Sequence, residues 1–184
     1  MDTTTPTQKL KLAVILGSTR KGRLCERVAR WAAARVETDA RFDLDVIDPA
    51  TDAAAEIGRR LREADAFLVV TPEYNHGYPA PLKALIDGWY DEWQAKPVAF
   101  VSYGGISGGL RAVEQLRQVF AELHAMTVRD SVSFDNAWDR FDAAGALLQP
   151  ERAERAMQVM LSRLHWWARA LHDARAGAAY AEAA

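Results

Sequence analysis

The sequence is short of several things, and each shortage removes a class of function. Cys25 is the single cysteine among 184 residues. It cannot close an intramolecular disulfide, nor supply a multi-cysteine zinc site or an iron–sulfur cluster. A reducing cytoplasm is the expected compartment. Charge of one sign is also lacking: 23 Lys and Arg face 25 Asp and Glu, a formal net charge of −2, and the pI is about 6.1. No net field draws such a chain to nucleic acid or to an anionic membrane. Long apolar runs are missing as well. LAVIL (12–16) and AFLVV (66–70) are the longest aliphatic stretches, far below the roughly 18 residues that cross a bilayer. With a polar start, MDTTTPTQ, neither export nor membrane insertion is expected. No Pro-rich or Gly/Ser-rich linker divides the chain, and no internal repeat is found.

What is present is an ordinary globular composition, 49% hydrophobic and 26% charged, long enough to bury a core without a staple. The termini lack large core residues, so 1–8 and 174–184 are expected to be flexible ends of a single domain spanning 9–173. Short apolar runs alternate with helical patterns. Strands are predicted near 9–16, 42–47, 65–71, 97–103 and 126–134, and helices near 22–36, 53–63, 81–93, 107–124 and 150–173.

Five strand–helix units in this order predict a parallel sheet covered by helices on both faces. FDLDVID (42–48) and TVRDSVSF (127–134) interleave polar residues and belong at edges, whereas the unbroken LAVIL, AFLVV and VAFV belong inside. The order 2-1-3-4-5 satisfies this: a flavodoxin-like, doubly wound three-layer α/β sandwich. Such sheets bind ligands beyond the C-terminal strand ends, where the winding reverses.

The loops after the three inner strands are the unusual ones. GSTRKGR (17–23) gathers hydroxyls, glycines and basic residues at a helix start, a setting for a phosphate. TPEYNHGYPAP (71–81) is stiffened by prolines and carries two tyrosines, as a loop holding the edge of a planar heterocycle would. SYGGISGG (102–109) lets backbone approach a ring, with the Ser102 hydroxyl and the Gly104 and Gly105 amides as candidate donors. Two rival phosphate motifs fail. Gly17 to Gly22 has P-loop spacing, but Arg23 and Leu24 stand where Lys and Ser/Thr are needed. The G-x-G-x-x-G turn is absent, and Asp48 reads as a helix cap or a solvated edge residue.

GSTRKGR, PEYNHGYPAPLKALID and PVAFVSYGGISGG together resemble the NADPH-dependent FMN reductase family, which includes quinone, azo-dye and chromate reductases. The resemblance runs from about Lys11 to about Phe134. It implies a homodimer holding FMN without a covalent bond, reduced by NADPH or NADH and reoxidised by a small-molecule acceptor. It further implies that Ser18, Arg20 and Arg23 hold the phosphate, that Pro72, Glu73, Tyr74 and Asn75 line the isoalloxazine, and that Ser102, Tyr103, Gly104 and Gly105 border its other edge. No side chain is assigned a catalytic role, since the cofactor carries the chemistry. Cys25 departs from the Ser, Asn or Gly common at that position, and a thiol is a weak donor. The alternatives are a non-enzymatic FMN-binding electron carrier or redox sensor, and a phosphate-binding module without flavin. Modest charge argues against a carrier that meets basic partners.

Other residues have plainer readings. Cys25 is expected to pack a helix and His76 to stabilise its loop. His124, His165 and His172 are too scattered for a metal site. Trp89, Tyr90 and Trp93 form an aromatic stripe at the end of the third helix, serving core or subunit contact. The last helix should cover the sheet through Met157, Met160, Leu161, Leu164 and Leu171, with one of Trp166 and Trp167 free for a second subunit. Segment 135–149 reads equally as a lid, an interface arm or a surface connection.

Overall fold

The computed structural model describes residues 8–183. The expected flexible start, 1–8, therefore lies outside the described residues except for Gln8. In chain order the elements are β1 (Leu10–Leu16), α1 (Cys25–Glu37), β2 (Phe42–Ile47), α2 (Ala54–Glu63), β3 (Ala66–Pro72), α3 (Ala80–Asp87), β4 (Pro97–Tyr103), α4 (Leu110–Glu122), β5 (Met126–Phe134) and α5 (Glu151–Gly177). All four strand pairings are parallel, in the order β2-β1-β3-β4-β5. The strands with polar interruptions are the edges, as their alternation required.

Alternation along the inner strands feeds two cores. Leu12, Val14, Leu68, Val70 and Val101 point to one face and pack against α1 and α5. Ala13, Ile15, Phe67, Val69 and Phe100 point to the other, against α2, α3 and α4. Burying both faces removes water from three unbroken apolar strands, each residue contributing about 1.5–3 kcal/mol when fully buried. Of the five α5 positions expected to face the sheet, Met157, Met160, Leu161 and Leu164 are buried and Leu171 is half-buried. Trp166 and Trp167 both lie on the exposed side, so neither faces inward.

Four boundaries depart from expectation, each for a local reason. α1 begins at Cys25 rather than near 22, because Gly22 sits at φ +63° in a turn. α4 begins at Leu110 rather than near 107, because Gly108 and Gly109 have φ +60° and +85°. α3 stops at Asp87, and the Trp89–Trp93 stripe is not helical. A 3-10 turn at Asp91–Trp93 instead buries the Trp93 indole between Phe67 and Phe120, its Nε1 donating to the Ile86 carbonyl at 3.1 Å. That bond satisfies one of the carbonyls a helix end leaves free. Finally, α5 continues to Gly177, and Arg175 donates to the Ala95 carbonyl at 2.6 Å. A guanidinium anchored there holds part of the segment expected to be a loose tail.

Candidate functional site

The C-terminal ends of β1, β3 and β4 lie side by side, so the loops that follow them meet at one end of the sheet. In the first loop, Gly17 leaves β1 with its N–H on the Val70 carbonyl at 2.8 Å. A Cβ there would stand 2.9 Å from that same carbonyl oxygen, so only glycine permits this exit. Beyond it the backbone N–H of Ser18 is turned toward the Cys25 sulfur, while those of Thr19, Lys21 and Gly22 have no acceptor among the described residues. Unpaired amides in a loop leading into a helix start can cradle an anion.

The side chains of that loop divide into two kinds. Arg20 is exposed, its guanidinium 3.6 Å from the centroid of the Tyr74 ring. Arg23 is almost entirely enclosed: it donates to the Ser18 carbonyl, Asp48 and Glu26. Burial alone would lower its pKa, but Asp48 and then Glu26 raise it above the ordinary guanidinium value. Arg23 shapes the loop through these contacts, and Asp48, besides receiving the Ala50 N–H, is its ion-pair partner. Ser18 is fully buried, its hydroxyl 2.8 Å from the Tyr74 hydroxyl. Tyr74 thus ties the first loop to the second.

The second loop is a tight turn. Tyr74 and Gly77 exchange backbone hydrogen bonds of 2.9 and 3.1 Å around Asn75 and His76, whose φ values are +51° and +70°. Both tip residues are exposed. The His76 carbonyl accepts from Gln115 at 2.9 Å, so that residue steadies the loop through its backbone. Pro72 closes β3 and is buried, and Glu73 points back into the protein. Its carboxylate accepts from the Ser107 hydroxyl at 2.7 Å, the Arg111 N–H at 3.1 Å and the Arg111 guanidinium at 2.8 Å. Burial would raise this carboxyl, but those donors outweigh it and hold it below the ordinary carboxylate range. Glu73 is a clasp between loops two and three, with its side chain withheld from any ring.

In the third loop, Ser102 donates to the Gly108 carbonyl at 2.8 Å and is fully buried. Tyr103 is buried beside Cys25, and burial pushes its phenol well above the ordinary value. Gly104 gives its N–H to the Phe134 carbonyl at 3.1 Å. Of the three expected donors, Ser102 and Gly104 are paired within the protein and the Gly105 N–H has no acceptor among the described residues. Gly109 caps α4 in a left-handed conformation, where a Cβ would stand 2.8 Å from the Tyr103 nitrogen. Cys25 is packed in the core with its thiol toward the Val70 carbonyl, and burial raises its pKa. It faces the protein interior.

Ser107, Arg111 and Gln115 were not singled out from the sequence. Their four-residue spacing at the start of a helix was the available signal, but the partners, Glu73 and His76, are 34 to 39 residues away. Trp138, from the unassigned segment 135–149, also reaches the third loop.

Taken together the sheet end offers free amides and an exposed Arg20 at one corner and glycine backbone at the other, with a tyrosine between. These fit a phosphate at one end and a flat ring at the other, which is the shape of FMN. The sequence model of the NADPH-dependent FMN reductase family matches residues 10–139, and the chain belongs to that family. An NAD(P)H-dependent FMN reductase of Schizosaccharomyces pombe is 36% identical over 131 residues, covering 59% of this chain and 64% of that one. The matched part is thus just under two thirds of that relative. Quinone reductase of Escherichia coli K12 is 35% identical over 143 residues, covering 66% and 74% respectively. Among solved structures, the flavoenzyme NAD(P)H:acceptor oxidoreductase of Paracoccus denitrificans superposes with a TM-score of 0.64 at 22% identity, covering 87% of this chain and 98% of that one. That likeness is one of fold.

Proposed function

We propose that this protein is an FMN-dependent oxidoreductase that takes reducing equivalents from NADPH or NADH and delivers them to a small acceptor of the quinone or azo class. When bound, FMN supplies the chemistry, accepting hydride and returning electrons. The chain's own contribution is to hold and orient. The free amides of Thr19, Lys21 and Gly22 with Arg20 take the phosphate, while Arg23 and Asp48 keep the turn in shape. Tyr74 and the backbone of loops two and three flank the ring, and the Glu73 clasp sets their separation. The observation that carries the reading is the set of unpaired amides beside an exposed arginine at the switch point of the sheet.

A homodimer is part of the proposal, supported by the exposed Trp166 and Trp167, which lie where a second subunit could cover them. So is a cytoplasmic setting, which suits the one buried cysteine and a dinucleotide reductant. The test is to add FMN, desalt, and record the visible spectrum, then follow NADPH oxidation with a quinone present. A retained yellow chromophore with steady turnover is expected. A bound flavin without turnover would make the protein a carrier or sensor, and a colourless protein would leave a phosphate-binding module.

A further inference from the structure

Segment 135–149 contains two aromatic side chains, of which Phe141 is buried and Trp138 is exposed. After β5 the chain reaches Asn136, whose N–H donates to the Gly105 carbonyl at 3.0 Å, and Ala137, whose N–H donates to the Gly104 carbonyl at 3.1 Å. Asn136 has φ +43°, and a 3-10 turn follows at Ala137–Asp139. Ala137 is fully buried while its neighbour Trp138 is 62% exposed. The backbone is therefore pinned to the third loop at two points, and the indole is thrown outward from a fixed base. A Cβ built on Gly105 would meet the Trp138 ring at 3.7 Å, an ordinary contact. Ile106, next along the loop, is 87% exposed.

Trp138, beside Gly105, and Ile106, the next residue along the loop, both hold apolar surface in water, surface that a bound molecule can cover. A rigid aromatic with one polar N–H is suited to stacking on a flat, partly polar molecule. We propose that Trp138, with Ile106, forms an apolar shelf at the mouth of the site that orients the planar electron acceptor, so that Trp138 is a specificity-determining residue. The inference rests on the flavin reading above, because Gly105 borders the ring only in that reading. A shelf of this kind favours fused-ring quinones over small or charged acceptors, since stacking scales with the apolar area covered.

The test compares Trp138→Ala and Trp138→Phe with the wild type, all loaded with FMN. Menadione titrated into the oxidised proteins without reductant, read by the flavin difference spectrum, should bind about tenfold more weakly to Trp138→Ala, an expectation in line with loss of a stacked aromatic. In turnover the same variant should raise KM for menadione by a similar factor, with kcat within about threefold and FMN affinity within about threefold, as a loss of acceptor binding alone requires. Trp138→Phe should restore most of the loss. Unchanged menadione binding and KM in Trp138→Ala, with wild type behaving as a flavoprotein, would overturn the shelf and leave the flavin reading intact. So would a change confined to sedimentation mass, which would make Trp138 a subunit contact. A wild type that takes up no FMN would bring down both.

Discussion

At the N-terminal edge of the sheet, polar groups close on one another. The Lys96 ammonium donates to the Leu61 and Arg62 carbonyls at 2.9 Å each, Asp65 receives the Lys11 N–H at 2.9 Å and Arg175 at 3.3 Å, and His124 meets the Tyr180 hydroxyl at 2.9 Å. At the C-terminal edge, the amides of Thr19, Lys21, Gly22 and Gly105 face no acceptor among the described residues, Arg20 rests on a ring, and Asn75, His76 and Trp138 are exposed. Both edges are built from loops joining the same strands, so connectivity does not explain the contrast. An unpaired polar group withdrawn from water destabilises a fold by about 1–3 kcal/mol, which the closed end avoids by pairing, whereas at the open end Lys21 and Gly22 are exposed and their amides reach water. In the proposed reading the closed end supplies stability and the open end supplies binding.

The sharpest way to break this contrast is at Arg20. Arg20→Ala should lower FMN affinity by roughly 10- to 100-fold, as loss of a charge-assisted contact does, while the flavin-free protein melts within about 1–2 °C of wild type, as for an exposed surface change. Flavin fluorescence titration beside a thermal melt measures both. If Arg20→Ala retains full FMN affinity, the phosphate assignment fails.

Lys96→Ala should do the reverse, costing about 2–3 kcal/mol by stranding two carbonyls and leaving FMN affinity unchanged. The pH dependence is specific. Burial pushes the Lys96 ammonium down to about 8. Between that value and the ordinary 10.5, the unfolded chain binds a proton that the folded chain has released, so this residue makes stability rise with pH across that window. Chemical denaturation at pH 8 and pH 10 should give a pH slope more positive in wild type than in Lys96→Ala, because Cys25 and Tyr103, whose raised values act in the opposite direction, contribute equally to both proteins.

A smaller effect is expected at the clasp. Glu73→Gln should cost about 1–2 kcal/mol through weakened charge-assisted bonds and loosen loops two and three, seen as faster amide exchange at Ser107–Arg111. Because the folded Glu73 pKa lies below the ordinary 4.5, its contribution is present above that value and disappears as pH falls through the lower folded value. The variant should lack this acid-side loss. The smallest change is at His76, whose side chain is exposed and whose carbonyl makes the loop contact. His76→Ala should alter turnover by less than about threefold, because the cofactor carries the chemistry. A hundredfold drop in kcat would instead place an acid or base in the second loop.

Much of the frame was legible in order along the chain. Unbroken apolar runs marked β1, β3 and β4 as inner strands, interrupted ones marked β2 and β5 as edges, and the order β2-β1-β3-β4-β5 satisfies that pattern. The segments that meet at the site were also legible, since GSTRKGR, PEYN and SYGG each break the local pattern. Their side-chain directions were not. Arg20 and Arg23 are three residues apart in a basic loop, yet one is exposed on Tyr74 and the other is buried on Asp48.

The sequence by itself determined the layer order and which three loops gather, because apolar periodicity and glycine placement act locally and repeat along the chain. Tertiary structure alone decided which polar groups remain free. A hydrogen bond between Glu73 and Arg111, or between Asn136 and Gly105, depends on atoms brought within about 3 Å from distant parts of the chain, and no pattern within either segment encodes that meeting.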